Sequence, residues 1–478
     1  MSRSAERSPL LTDLYQLTMA YGYWQANRHE EEAVFHLFFR RCPFEGGYAL
    51  ASGLAEVVAF LEAFSFEEED VSYLAELLGN DGQPLFDAGF LGYLRELRFQ
   101  GTLHAMPEGT LAFPHEPLLR YQGPLIMGQL LETSLLTLVN FPTLIATKAA
   151  RICGAAQEDA VLEFGLRRAQ GVNGGLTASR AAYLGGCTGT SNVLAGQRYG
   201  IPVRGTHAHS WVMSYEEEKA SFEAYARAMP NNCIFLVDTY DTVEGVKRAI
   251  EVGLQLRTEG HQMVGIRLDS GDLRGLSIEA RRLLDQAGLT DAVIVASNDL
   301  DEHQIFQLKA SGARINVWGV GTRLATAKDD PALGGVYKLA ALRQSDGEWA
   351  FRMKLSNDPI KVSNPGVLQV ARYQRDGEWV GDLIRHEPWL MEEERFHGFY
   401  GASVSIEGAV GKDLLLPIFE DGRLVYQVPT LAQSRDYAQE QLRMLPERYR
   451  RLTDVASFPV GLEPRLASRK QEMVRSRR

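Results

Sequence analysis

The sequence is 478 residues long, with 45% hydrophobic residues, 23% charged residues and a formal charge of −11. That length exceeds one ordinary core and predicts two or three domains, while the acidic balance excludes general nucleic-acid binding. No apolar run reaches the roughly 18 residues of a membrane span, and the opening "MSRSAERSPLLTDLYQL" lacks a secretory apolar core, so a cytoplasmic protein is predicted.

Residues 1–130 mix helix-like stretches, "EVVAFLEAF" and "VSYLAELLG", with turn-rich strands in "GTLHAMPEGTLAFPHEPLLRYQG". The middle of the chain, 131–345, has a regular rhythm. Short apolar runs end in Gly, Ser, Thr or Asp: "AVLEFG", "AAYLGG", "IPVRGT", "CIFLVDT", "MVGIRLDSGD", "AVIVASND" and "RINVWGVGT". Between them lie "TVEGVKRAIEVGLQLR", "LSIEARRLLDQAG" and "LDEHQIFQLKAS", whose apolar residues recur at helical spacing. Apolar strands alternating with helices predict a parallel sheet covered on both faces. About seven such units fit a closed or nearly closed β/α barrel better than an open sheet.

After residue 345 come two hairpin-like alternations, "VLQVARYQRDGEWVGDLI" and "LLLPIFEDGRLVYQ", the second turning at Asp-Gly. The segment 346–478 is predicted to join 1–130 in one α+β domain. Its basic end, 465–478, is predicted to be a disordered tail. Cys42, Cys153, Cys187 and Cys233 are scattered without CxxC spacing and read as reduced buried thiols.

A β/α barrel builds its active site at the C-terminal ends of its strands. Those ends carry Glu163, Arg167, Thr206, His209, Ser210, Asp238, Asp241, Arg267, Asp269, Asp272, Ser297, Asn298, Asp299 and Thr322. For Asp238, Asp272 and Asp299, capping the next helix is as good a reading as function. The arginines are not explained by capping. In "WGVGT", Gly319, Gly321 and Thr322 end a strand with the backbone access that a phosphate needs. The rim therefore suits an anionic, phosphorylated substrate.

"GTHAHSWV" places His207 and His209 two apart. A zinc site usually needs three protein ligands, and no third His or Cys lies nearby. One site histidine with a peripheral neighbour, or two structural histidines, both remain open from spacing alone. His209 has the stronger case, because the hydroxyls of Thr206 and Ser210 lie close to it in the chain and suit an anion.

"TDLYQLTM", "FFRRCPFEGGYALASGL", "EFGLRRAQG", "GTHAHSWV", "RLDSGDL" and "GGVYKL" occur in that order. They resemble the characteristic segments of the nicotinate phosphoribosyltransferase family. The resemblance implies an α/β fold, with an irregular β/α barrel beside an α+β domain, usually in a homodimer. It also implies synthesis of nicotinate mononucleotide and diphosphate from nicotinate and 5-phosphoribosyl 1-diphosphate. This step of NAD salvage is coupled to ATP hydrolysis and uses Mg2+. By resemblance His209 is the histidine that ATP phosphorylates, and His207 is incidental. Tyr15, Phe164, Thr206 and Arg267 are nicotinate residues, with Tyr15 supplied by the other subunit. Arg167, Ser210, Asp269, Gly319, Gly321 and Thr322 belong to the phosphoribosyl diphosphate site, with Asp269 holding the metal through water.

Loss of diphosphate from the ribose leaves oxocarbenium-like charge, so such catalysis rests on positioning and on neutralising the leaving group. An arginine fork suits a planar carboxylate. The related nicotinamide enzyme binds its neutral amide through a carboxylate on a segment resembling "CTGTSNVLAG", where this chain has Ser191 and Asn192. The shorter quinolinate enzyme has no phosphohistidine step. A phosphosugar aldolase or epimerase is the reading from another class; an aldolase would need Lys338 as its Schiff-base lysine.

Overall fold

The computed structural model describes residues 7–356, 358, 361–390, 393–399, 401 and 403–476. The chain is mixed α/β and divides into two compact units, Ile145–Pro331 and the combination of Met1–Leu144 with Ala332–Arg478.

The continuous unit is built on a six-stranded parallel sheet. Its order is Gly189–Thr190, Ala160–Glu163, Val317–Val320, Val293–Ala296, Gly265–Leu268 and Ile234–Leu236. The strands are two to four residues long and mostly buried, which is why they read as short unbroken apolar runs. The three helices expected between them occur at Thr242–Thr258, Leu273–Gln286 and Glu302–Ala310. Asp241 caps the first by accepting from the Glu244 N–H at 2.9 Å. Asp301 caps the third in a reciprocal box with Gln304.

Two expected strands differ. "AAYLGG" forms the last turn of helix Gly171–Leu184, in which Ala178, Ala181, Ala182 and Leu184 are all buried. A fully buried helix end looks like a buried strand over a few residues. "IPVRGT" contributes only an isolated bridge between Val203 and Thr190.

The other unit interleaves both ends of the chain. Its seven-stranded antiparallel sheet runs Trp349–Phe351, Val336–Arg343, Glu32–Phe38, Pro117–Pro124, Thr102–Ala105, Leu416–Glu420 and Arg423–Leu424. The last pair turns at Asp421-Gly422, with φ of 47° and 78°. A second sheet contains the hairpin Leu368–Arg375 and Glu378–His386, which turns at Asp376-Gly377 with φ of 52° and 83°. Two left-handed residues in succession give the twist that a tight hairpin needs. Inside this unit Arg372 is buried against Phe113, Trp379 and Phe458 and pairs with the buried Asp382 at 2.5 Å.

The C-terminal segment departs from the expected disordered tail. Pro464–Arg475 is a helix with Pro464 in its first turn and Leu466 and Met473 buried. Two apolar residues seven apart lie on one helix face, and this sparse stripe among basic residues is enough to dock it. Lys470 also donates to Asn364 at 2.7 Å. Residues 477–478 lie outside the described residues.

Candidate active site

The C-terminal ends of three neighbouring parallel strands, Ile234–Leu236, Gly265–Leu268 and Val293–Ala296, carry a connected polar cluster. Arg267, in the third residue of strand Gly265–Leu268, is its centre. Its guanidinium donates to Ser297 Oγ at 2.9 Å, to Thr206 Oγ1 at 3.2 Å and to Asp269 Oδ1 at 2.8 Å. Its charge also lies 5.7 Å from the centre of the Phe164 ring. A guanidinium has five N–H donors; among the described residues three are engaged, which leaves two for a ligand. Those two lie on the terminal nitrogens, the pair that bonds both oxygens of a carboxylate.

Asp269 joins this centre to His209. The Ser297 hydroxyl hydrogen-bonds to Asp269 Oδ1, and His209 Nε2 lies 3.6 Å from Oδ2. Burial pushes the Asp269 carboxyl up. The Ser297 hydrogen bond and the Arg267 charge and hydrogen bond, with a smaller pull from His209, outweigh it and hold the group below the ordinary value. Asp269 is therefore anionic at neutral pH. His209 begins the short helix His209–Met213, and its Nδ1 lies 3.1 Å from Thr239 Oγ1. Both ring nitrogens thus face polar groups, and the ring is part-exposed.

Asp238 supports the neighbouring turn. Its Oδ2 accepts from the Asp269 N–H at 2.9 Å and from Ser270 Oγ at 2.6 Å. Its Oδ1 is buried and has no hydrogen-bond partner among the described residues. Asn298 and Asp299, after strand Val293–Ala296, have φ of 106° and 51°. The first is an uncommon conformation for a residue with a side chain and marks backbone strain at the rim. Arg323 ties this turn to its own loop through Asp299 at 3.2 Å and Asp301 at 2.9 Å.

Several rim residues have different work. Glu163 is 1% exposed and consumed by the fold: it accepts from Ser179 Oγ at 2.9 Å, from Thr190 Oγ1 at 2.6 Å and from the Gly165 N–H. His207 does not share a strand face with His209. It is buried against Tyr225, Phe222 and Phe235, accepts from the Leu236 N–H at 3.2 Å, and is pushed down to about 4 by burial. Asn192 caps helix Val193–Tyr199 and donates to Ser179 Oγ at 3.1 Å.

Arg167 and Ser210 are exposed, and Thr322 opens the short helix Thr322–Ala325. Among the described residues, no hydrogen bond or ion pair joins these three to the Arg267–Asp269–His209 cluster. Gly319 and Gly321 both lie against Phe164, the first against its ring and the second against its carbonyl. Tyr15 lies in the other unit, on helix Leu14–Gln25, and is 49% exposed. Lys338 lies within the antiparallel sheet, where it donates to the Tyr337 carbonyl at 2.6 Å. It is not at the end of a parallel strand, which removes the aldolase lysine. Thr239 and Ser270 are the site residues that sequence reasoning missed. The hydroxyl beside each carboxylate, in "DTYD" and "RLDSGD", was the available signal.

Among the described residues, no group of three His, Cys, Asp or Glu side chains forms a metal cage. Mg2+ needs none, because it is commonly held by one or two carboxylates together with substrate phosphates and water. Asp269 and the unpartnered oxygen of Asp238 fit that role.

Three family models along the chain describe one family. Residues 10–140, 160–349 and 369–470 match the models described as the nicotinate phosphoribosyltransferase N-terminal domain, family and C-terminal domain. The chain is 46% identical over 473 residues to a nicotinate phosphoribosyltransferase of Bacillus subtilis, covering 97% of this chain and 95% of that protein. It is 40% identical over 527 residues to the human protein of that name, covering 97% and 96%. The crystal structure of human nicotinic acid phosphoribosyltransferase superposes with a TM-score of 0.84 at 37% identity, over 97% of this chain and 99% of that one.

Proposed function

The chain belongs to the nicotinate phosphoribosyltransferase family, and from that premise we propose that it is an enzyme joining nicotinate to 5-phosphoribosyl 1-diphosphate. Nicotinate mononucleotide and diphosphate are its products, and it serves NAD synthesis by salvage. The observation that carries the substrate reading is the Arg267 guanidinium, with two N–H donors left beside the Phe164 ring. A planar aromatic ring bearing a carboxylate matches that pair. Thr206 holds the fork in plane from its other side, and Asp269 and Ser297 fix its remaining nitrogens.

The pyridine nitrogen attacks the ribose C1 as the C1–O bond to diphosphate breaks. Gly321, after strand Val317–Val320, and Thr322, which opens the next short helix, together with Arg167 and Ser210, serve the phosphate groups. Gly319 is the remaining member of the expected phosphate set. Magnesium, when bound, neutralises the diphosphate leaving group; Asp269, through water, and Asp238 are the residues suited to holding it.

His209 is the phosphoryl acceptor in coupling to ATP. One ring nitrogen attacks the terminal phosphorus, ADP leaves, and water later cleaves the P–N bond to release phosphate. Asp269 and Thr239 hold the ring on its two sides, which fixes its tautomer and orientation. Tyr15 of the partner subunit covers the pyridine face opposite Phe164, in a cytoplasmic homodimer. The parallel sheet forms the wall of an irregular β/α barrel.

One assay tests the activity. The protein is incubated with 5-phosphoribosyl 1-diphosphate, Mg2+ and either nicotinate or nicotinamide, with and without ATP, and the mononucleotide and diphosphate are identified. Nicotinate mononucleotide formed faster with ATP supports the reading. Product from nicotinamide alone would make the amide the substrate, and no product from either would remove the proposal.

A further inference from the structure

Gly319 is expected to serve a phosphate, but the geometry points to a different task. It lies inside strand Val317–Val320, paired with Leu162 of the next strand. Its φ is outside the left-handed region, so its backbone conformation is open to any residue. A glycine weakens a strand interior, and one without a special conformation marks a close approach by another group. A glycine that admits a phosphate leaves the space of its missing side chain open. At Gly319 that space is filled. A Cβ there would stand 2.8 Å from both Cδ2 and Cε2 of Phe164 and 3.4 Å from Cβ of Ser297. Contacts under 3.0 Å are essentially never made by a real Cβ, and the two ring atoms belong to one rigid edge.

The two side chains in that space are neighbours of the same group. Phe164 lies against the Arg267 guanidinium, and Ser297 Oγ accepts from Arg267 Nε at 2.9 Å. We propose that Gly319 is a positioning residue for the aromatic substrate: its missing side chain lets the Phe164 ring and Ser297 close together around Arg267, and so sets the slot for the pyridine carboxylate. The inference rests on the assignment of Phe164 and Arg267 to nicotinate made above. It moves Gly319 from the phosphate site to the ring site and leaves Gly321 and Thr322 with the phosphate.

The test is a double-mutant cycle on the full-length enzyme, with wild type, Gly319→Ala, Phe164→Ala and the double variant. Turnover of nicotinate by the wild type is established first. Its absence overturns the functional assignment, and the inference with it. Given turnover, each variant's KM is measured for nicotinate and for 5-phosphoribosyl 1-diphosphate, with nicotinate binding by calorimetry as an activity-free readout. Gly319→Ala should weaken nicotinate binding about fivefold or more, because overpacking displaces the ring. Its KM for 5-phosphoribosyl 1-diphosphate should stay within about twofold, as expected of a site with no shared partner. In the Phe164→Ala background, where the clashing ring is gone, adding Gly319→Ala should change nicotinate binding by less than about twofold.

A raised KM for 5-phosphoribosyl 1-diphosphate in both backgrounds would return Gly319 to the phosphate and overturn the inference. So would an equal loss of nicotinate binding with and without Phe164. If Gly319→Ala alone does not accumulate as folded protein, the double variant must do so, since removing the ring removes the clash. Failure of both overturns the inference.

Discussion

At the scale of single residues, the two histidines of "GTHAHSWV" have opposite surroundings. His209 faces Thr239 and Asp269 and is part-exposed, whereas His207 is enclosed by aromatic rings and accepts a backbone N–H. His209→Asn is expected to abolish ATP hydrolysis while slow ATP-independent transfer persists. His207→Asn should instead lower stability and leave the coupling ratio near that of the wild type. Phosphohistidine mapping together with ATPase assays separates these roles, and a phosphoryl group at position 207 would reverse them. For Arg267→Ala, the loss should fall on nicotinate far more than on nicotinamide. A hydrogen bond to a charged group is worth about 1.5–3 kcal/mol, so nicotinate should lose roughly tenfold or more in binding. Equal losses for the two ligands would place Arg267 in the phosphate site or the fold.

Glu116 carries a residue-scale prediction away from the site. Burial, then the Asp382 charge and hydrogen bond, push its carboxyl well above the ordinary range. The folded protein therefore holds a proton that the unfolded chain releases. Its contribution is fully present below the ordinary carboxylate value and is lost as pH rises through the raised one. Glu116→Gln keeps a neutral donor toward Asp382 without needing that proton. Urea midpoints measured from acid to alkaline pH should fall less steeply on the alkaline side for this variant. An unchanged slope would show that Glu116 is ionised in the fold.

At the scale of elements, the parallel strands were legible where each is a short apolar run ending in a polar residue, as in "GIRLD" and "VIVASN". Arg267, Asp269 and Ser297 were legible for the same reason, since strand ends place them on one rim; His209 reaches them from the start of a short helix after a run that forms no strand. The strand Gly189–Thr190 was not, because two residues carry no periodicity. Nor was the sealing of Glu163, whose partners come from a helix and another strand. Thr239 was missed, and the contact of Gly319 with Phe164 was not foreseen, because His209 and Phe164 meet them only through the fold.

The C-terminal helix Pro464–Arg475 was hidden by its charge, with only two buried apolar residues to show a face. That sparseness makes Leu466 decisive. It is fully buried, and Leu466→Ala should cost about 2–5 kcal/mol, as for other buried leucines. Chemical denaturation measures this, and a loss under about 0.5 kcal/mol, the scale of ordinary surface substitutions, would mean that the helix is not docked in solution.

At the scale of the whole molecule, the proposed shared site makes activity a property of a pair of chains. Tyr15 keeps half its surface free in one unit, beside the exposed Leu14 and Met19, while Arg267 lies in the other. Tyr15→Ala and Arg267→Ala chains, each inactive alone, should regain partial activity when co-expressed and purified as mixed dimers. One site in such a dimer has both residues intact. Mixed dimers as inactive as their parents would confine Tyr15 to its own subunit or to packing.

The interleaved antiparallel sheet has a consequence for how the chain is made. Glu32–Phe38, Pro117–Pro124 and Thr102–Ala105 leave the ribosome early, but their flanking partners Val336–Arg343 and Leu416–Glu420 come only after all of Ile145–Pro331. Until then the nascent three-stranded sheet presents two open edges, the arrangement that templates pairing between chains. The continuous unit can finish during synthesis, since all its strands pair with one another. The discontinuous one must wait for the last stretch of chain, so protection of those two edges, rather than formation of the catalytic rim, sets the hazard during biosynthesis.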